Sequence, residues 1–310
     1  MSETDISVLA ALHAAAADPW AELRRHTPAR IALGRAGSSL PTAELLRVNA
    51  AHAQARDAVQ LPLDAPALAA NLDAAGFASL QVRSQANSRA IYLRRPDLGR
   101  RLDAASALRL QEARQSLSLQ PIDLSVDRSI DRSIDLCIVL ADGLSAQATQ
   151  QHGLPLLRAL CGMLEPGLKL APLVIAEQAR VALADEIGAL LQARIVLILL
   201  GERPGLSSPD SLGAYLTHAP AVGLNDALRN CVSNIRPAGL PYTQAAQRIA
   251  WLLHESLRRR LSGVALKDDS STHLLPVWRQ SAGNCCPASR DGFSQRTLTL
   301  HHHASRENYE

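Results

Sequence analysis

The sequence predicts an α/β protein in which a mainly helical N-terminal part precedes a parallel sheet. Three observations lead there. Residues 6–60 carry a helical pattern interrupted by "GRAGSSLPT", and from about residue 121 apolar strand-like runs alternate with helical stretches. The runs in "IDLCIVLADGLSA" and "RIVLILLGERPGLSS" also stop abruptly at glycine-containing breaks. An unbroken apolar run marks a strand buried on both faces, and strands alternating with helices place those helices on either side of a parallel sheet. The form is Rossmann-like.

Taken in order, the first helical segment lies around "PWAELRRHT", with Asp18 as N-cap and Pro19 at the first helical position. "TAELLRVNAAHAQARDAV" resumes the helix from the N-cap candidate Thr42. Residues 61–120 mix short pieces, among them the alternating "FASLQVRSQ" and the polar connector "YLRRPDLGRRLD". "LAPLVIAEQARVALADEIGALLQA" then reads as a strand and a helix. The expected organisation is a mainly helical domain over 1–120, a Rossmann-like domain over 121–270 and an atypical, aperiodic tail over 271–310 that is left out of the fold. "DRSIDRSID" at 127–135 is a tandem duplication expected in a surface loop.

Composition removes several functional classes. With 310 residues, 47% hydrophobic and 20% charged, the chain buries a sizeable core, and no stretch is apolar enough to span a bilayer. Glu3 and Asp5 stand where a secretory leader has basic residues, so a cytoplasmic address is expected. A net charge of +3 is too mild for a nucleic-acid partner. Lys169 and Lys267 are the only lysines, so the positive charge is nearly all Arg. Cys137, Cys161, Cys231, Cys285 and Cys286 form no C-x-x-C pair, which indicates reduced thiols and neither a disulfide framework nor a zinc site.

The common catalytic and cofactor motifs are missing. No G-x-G-x-x-G or Walker sequence follows a strand, and there is no G-x-S-x-G or H-E-x-x-H; "HHH" at 301–303 reads as a fortuitous run. What remains is a set of polar residues at strand ends: Asp142-Gly143, Glu202-Arg203 and "NCVSNIRPAG" at 230–239. Loops at the carboxyl ends of parallel strands hold ligands, so these line one crevice if their strands are neighbours. Each also has a structural reading: Asp142 as a helix cap, Glu202 and Arg203 as an ion pair, Cys231 as a small buried hydrophobe. Cys231 has no nearby base to make it a nucleophile.

Six blocks carry a family resemblance. "RIALGRAGSSLPTAELLRVNAAHAQARDAV" (30–59), "YLRRPDLGRRLD" (92–103), "ADGLSA" (141–146), "GERPGLSSPDSLGAYLT" (201–217), "RNCVSNIRPAGL" (229–240) and "SGVALKD" (262–268) resemble, in order, the small subunit of ethanolamine ammonia-lyase. The resemblance spans residues 18–269, and "GERPGLSS" and "NCxSNIRP" are its most specific blocks. The duplicated "DRSI", Leu228 and the tail after about residue 270 depart from the pattern.

The resemblance implies an adenosylcobalamin-dependent carbon–nitrogen lyase that converts ethanolamine to acetaldehyde and ammonia by radical chemistry. The substrate site would lie on a large subunit, and this chain would contribute to the cobalamin site at the subunit interface. By position in the motifs, Val181, Glu202 and Cys231 would contact the cofactor, and no residue of this chain would be catalytic. The N-terminal part, rich in Arg30, Arg35 and Arg47, would dock on the large subunit. Such enzymes belong to amine catabolism and some sit in a bacterial microcompartment. No histidine lies in a D-x-H-x-x-G motif, so the cofactor's own benzimidazole is expected to stay on cobalt. The alternative is a freestanding Rossmann-like sensor of a small molecule.

Overall fold

The computed structural model describes residues 20–118 and 134–270. Asp18 and Pro19, most of the "DRSI" duplication, the tail and Cys285 and Cys286 lie outside the described residues. A short 3-10 turn over Ala21–His26 leads to helices α1 (Thr42–Gln60) and α2 (Ala65–Ala74), strand β1 (Ser79–Arg83), and helices α3 (Arg89–Arg94) and α4 (Ala104–Ser118). There follow β2 (Ile134–Ala141), α5 (Ala146–Cys161), β3 (Leu173–Glu177), α6 (Leu183–Leu190), β4 (Ala193–Gly201), β5 (Leu212–His218), β6 (Arg229–Ile235) and α7 (Tyr242–Arg259). No described helix is long and apolar enough to cross a membrane.

The six strands form one sheet in the order β1-β3-β2-β4-β5-β6. β1, β3, β2 and β4 are parallel, as the alternating pattern predicts. β5 and β6 are not: β5 runs antiparallel to β4, and β6 antiparallel to β5. The ten residues 202–211 between β4 and β5 are too few for a parallel crossover, which needs a dozen or more. β1 lies on the N-terminal side of residue 121, so the sheet draws strands from both sides of that expected boundary.

Side-chain alternation in the central strands builds two cores. Ile195, Leu197 and Leu199 of β4 pack with α2, α5 and α7, including Leu68, Leu156 and Leu253. Val196, Ile198 and Leu200 point the other way, toward Leu110 of α4 and Leu183 and Ile187 of α6. Burial of both faces explains why β4 is written as a continuous apolar run.

Helix starts differ from two expectations. Pro41, with φ −59° and ψ 140°, is the N-cap of α1, and Thr42 is already helical. Asp142 does not cap α5; Ser145 does, accepting from the Ala148 amide.

Candidate functional site

On both sides of the β2–β4 pair the strand order runs outward, β2 to β3 and β4 to β5, and such a switch point opens a crevice at the carboxyl edge. The loops after β2 and β4 meet there by direct backbone contact. Leu144 N–H donates to Gly201 O at 2.9 Å. A Cβ on Gly143, at φ +56°, would stand 2.2 Å from Gly201 O, and one on Gly201 would stand 1.9 Å from Ser145 O. The glycines of "ADG" and "GER" are therefore set by two backbones crossing at contact distance.

Asp142 is the buried centre of this edge. Its carboxylate accepts from the Gln178 and Ala179 amides at 2.8 and 2.9 Å and faces Arg89 Nη1 at 3.3 Å. Burial raises its pKa to about 6, against the pull of those amides and of Arg89. It thus joins β2, the turn after β3, and α3, and its role here is structural.

Above it lies a cavity of about 420 Å³ lined by Tyr92, Leu144, Arg180, Val181, Leu200, Gly201, Glu202, Arg203 and Tyr215. Two residues singled out in the sequence, Val181 and Glu202, meet here. Val181 sits in the turn that enters α6, half-buried against the apolar face. Glu202 is not paired with Arg203: its Oε2 accepts from Ser211 Oγ at 2.5 Å and from the Asn234 amide at 3.2 Å. Asn234 takes φ +58°, a left-handed conformation that Asn tolerates, so the Asn of "SNIRP" places that amide.

Cys231 does not line the cavity and does not lie in a loop, because "NCVSNI" forms most of β6. It pairs directly with the lining residue Tyr215, and cross-strand partners share a face. Nor is Cys231 a buried hydrophobe, being exposed. Dehydration around the sulfur and the charge of Glu202 raise the thiol pKa, while donation from the Tyr215 hydroxyl pulls it down. A thiol held protonated is a poor nucleophile.

Three lining residues with polar side chains escaped the sequence reading: Tyr92, Arg180 and Tyr215. Tyr92 is buried in what reads as a polar connector, donates its hydroxyl to Ala179 O at 3.0 Å, and carries the Arg180 guanidinium 4.2 Å from its ring centroid. Arg180 Nη2 also donates to Tyr92 O at 3.1 Å, while its buried Nε has no hydrogen-bond partner among the described residues. Only the position of Arg180 beside Val181 could have drawn attention to it.

The loop after β4 is anchored near its C-terminal end and at its tip. Ser145 Oγ donates to Pro209 O at 2.8 Å, and His152 lies 3.3 Å from Asp210 and 2.8 Å from the Tyr242 hydroxyl. At the tip, Arg30 donates to Leu206 O at 2.9 Å, tying the N-terminal segment to the loop. Arg47 pairs with Glu44 on its own helix, and Arg35 is exposed.

Fold and site together define an α/β protein with a polar-rimmed cavity at the carboxyl edge of its parallel strands. The sequence profile of the family "Ethanolamine ammonia-lyase light chain (EutC)" matches residues 17–267. The chain is 54% identical over 268 residues to the ethanolamine ammonia-lyase small subunit of Azotobacter vinelandii, covering 86% of this chain and 94% of that one. It is 53% identical over 272 residues to that of Pseudomonas aeruginosa PAO1 (87% and 95%), and 52% identical over 265 residues to that of Ralstonia nicotianae (85% and 93%). The chain belongs to the ethanolamine ammonia-lyase light-chain family, as its motif blocks indicate.

Proposed function

We propose that this chain works in a hetero-oligomer with an ethanolamine ammonia-lyase large subunit, converting ethanolamine to acetaldehyde and ammonia, and that its Rossmann-like part supplies one wall of the adenosylcobalamin site. The observation that carries the reading is the meeting of Val181 and Glu202 in one cavity at the switch point of the sheet. The lining suits a corrinoid edge: Leu144, Val181 and Leu200 offer apolar contact, and Glu202 and Arg180 offer an acceptor and a donor to peripheral amides. A cavity of about 420 Å³ is of drug-ligand size. Cobalamin is larger, so the opposite wall belongs to the partner.

When bound, adenosylcobalamin supplies radical chemistry through homolysis of its cobalt–carbon bond. The work of this chain is to bind and orient. Glu202, held by Ser211 and Asn234, presents a fixed acceptor; Val181 packs against the ligand; Cys231 adds a small, protonated contact beside Tyr215. None of the three takes part in a bond-making step. The cofactor's own benzimidazole stays on cobalt in this reading, which rests on the lack of a D-x-H-x-x-G motif in the sequence. The N-terminal segment up to α1 docks on the large subunit, and the assembly works in the cytoplasm or inside a microcompartment.

Titration of the two-subunit complex with adenosylcobalamin, followed by absorbance, tests this. Glu202→Ala is expected to weaken cofactor binding by about 1.5–3 kcal/mol, the worth of a charge-assisted hydrogen bond, with assembly intact. Unchanged affinity removes Glu202 from the site. A stable monomer indifferent to both partner and cofactor would favour the freestanding sensor.

A further inference from the structure

The cavity carries more positive charge than its proposed role in contacting corrin amides requires. Two guanidiniums, Arg180 and Arg203, line it against one carboxylate, Glu202. That carboxylate is committed to Ser211 and Asn234, and among the described residues Arg180 has no ion-pair partner. Arg203 is exposed, whereas Arg180 is fixed in place. Its Cγ packs where a Cβ on Gly99 would come within 2.9 Å, its backbone N–H bonds Gly99 O at 2.8 Å, and its guanidinium lies over Tyr92.

Burying a guanidinium is costly unless it is paired, and the neighbouring arginines are paired: Arg89 with Asp142, Arg101 with Glu186, and Arg229 with Asp185. Among the described residues Arg180 differs in having no carboxylate: its side chain donates one N–H, to a backbone carbonyl, and its buried Nε has no hydrogen-bond partner, as is also true of Arg89 Nη2. Next to it the N–H groups of Val181 and Ala182 precede α6, a helix start without a side-chain cap. The acidic residues of that first turn, Asp185 and Glu186, are spent on Arg229 and Arg101. A pre-organised guanidinium beside a helix start without a side-chain cap is a receptor for an anionic oxygen.

We infer that Arg180 is a further binding residue of this cavity and takes the phosphodiester oxygen of the bound ligand. The inference rests on the cobalamin reading, since cobalamin carries one phosphodiester, in the arm that joins its nucleotide to the corrin ring. Glu202 and Val181 then meet the corrin edge while Arg180 meets the nucleotide arm.

Cobinamide, which retains the corrin ring and its amides but lacks the nucleotide phosphodiester, separates the two contacts. The two-subunit complex is titrated with cobalamin and with cobinamide, in the wild type, Arg180→Gln and Arg180→Lys. Arg180→Gln is expected to weaken cobalamin binding about tenfold to a hundredfold and leave cobinamide binding unchanged. Arg180→Lys, which keeps the charge without the planar fork, should lie between them. Equal loss for both corrinoids, or no loss for either, overturns the assignment. A wild-type complex that binds neither corrinoid overturns the cobalamin reading itself. Thermal midpoints of the variants identify any loss that comes from unfolding, and the Lys variant still reads the contact in that case.

Discussion

The N-terminal arm, residues 20–60, and the sheet with its helices make opposite use of apolar side chains. In α1, 19 residues long, only Glu44, Ala51 and Ala58 are buried, and Leu45 and Leu46 remain 49% and 62% exposed. Trp20, Leu23 and Leu40 of the same arm are exposed as well. In α7, of nearly equal length, Ile249, Trp251, Leu252 and Leu253 are all sealed against the sheet. A helix that buries its apolar side is held by its own chain; one that leaves leucines in water, tethered by contacts such as Arg30 to Leu206, has its packing surface elsewhere. This contrast supports the proposed docking of the arm on a large subunit.

The largest test of the contrast is in the core. Leu252→Ala, at a position 2% exposed, is expected to cost about 2–5 kcal/mol, read as a lower urea midpoint at unchanged slope. Next comes the crossing of the two site loops. Gly201→Ala forces a Cβ against Ser145 O and should cost about 1–3 kcal/mol, with a loss of cofactor binding larger than that of stability.

Smaller is the tie between α6 and the segment around Leu102 that precedes α4. Glu186 is held below the ordinary carboxylate range: burial opposes this, but the Arg101 side chain and the Leu102 amide outweigh it. A depressed folded pKa adds stability above the unfolded pKa and loses it as pH falls through the folded value. Glu186→Gln should therefore cost about 1 kcal/mol at pH 7, after allowance for the exposed Arg101, and nothing once pH is low enough to protonate Glu186 in the folded protein. Denaturant titrations at pH 7 and in acid measure the difference.

The smallest effect on the free chain is expected in the arm. Leu46→Ala should change stability by no more than about 0.5 kcal/mol while weakening association with the large subunit. A Leu46 variant as destabilised as Leu252→Ala would erase the contrast.

Local chemistry made much of the fold legible. The unbroken apolar runs of β2 and β4 announced strands covered on both sides, and the glycines after them marked where each strand had to end. The antiparallel pairing of β5 and β6 was less legible, because the seven residues of β6, "RNCVSNI", alternate around polar positions and read as a loop. Asp142 and Glu202 each looked like half of a local device, a cap or an ion pair. Their partners are residues 178–179 and 89 for one and 211 and 234 for the other, distances along the chain over which no short-range pattern reports.

By itself, then, the sequence determined where the strands stop, which residues stand at their carboxyl ends, and the family to which the chain belongs. These are local matters of burial, glycine placement and motif order. Only the tertiary structure decided that Val181 and Glu202 share a cavity while Cys231 stands one strand away, and that an arginine with no ion-pair partner among the described residues lies between Tyr92 and the start of α6. The reason is sheet topology: strand order and direction depend on connection lengths and on which faces bury together, and these bring residues more than a hundred positions apart within contact of one another.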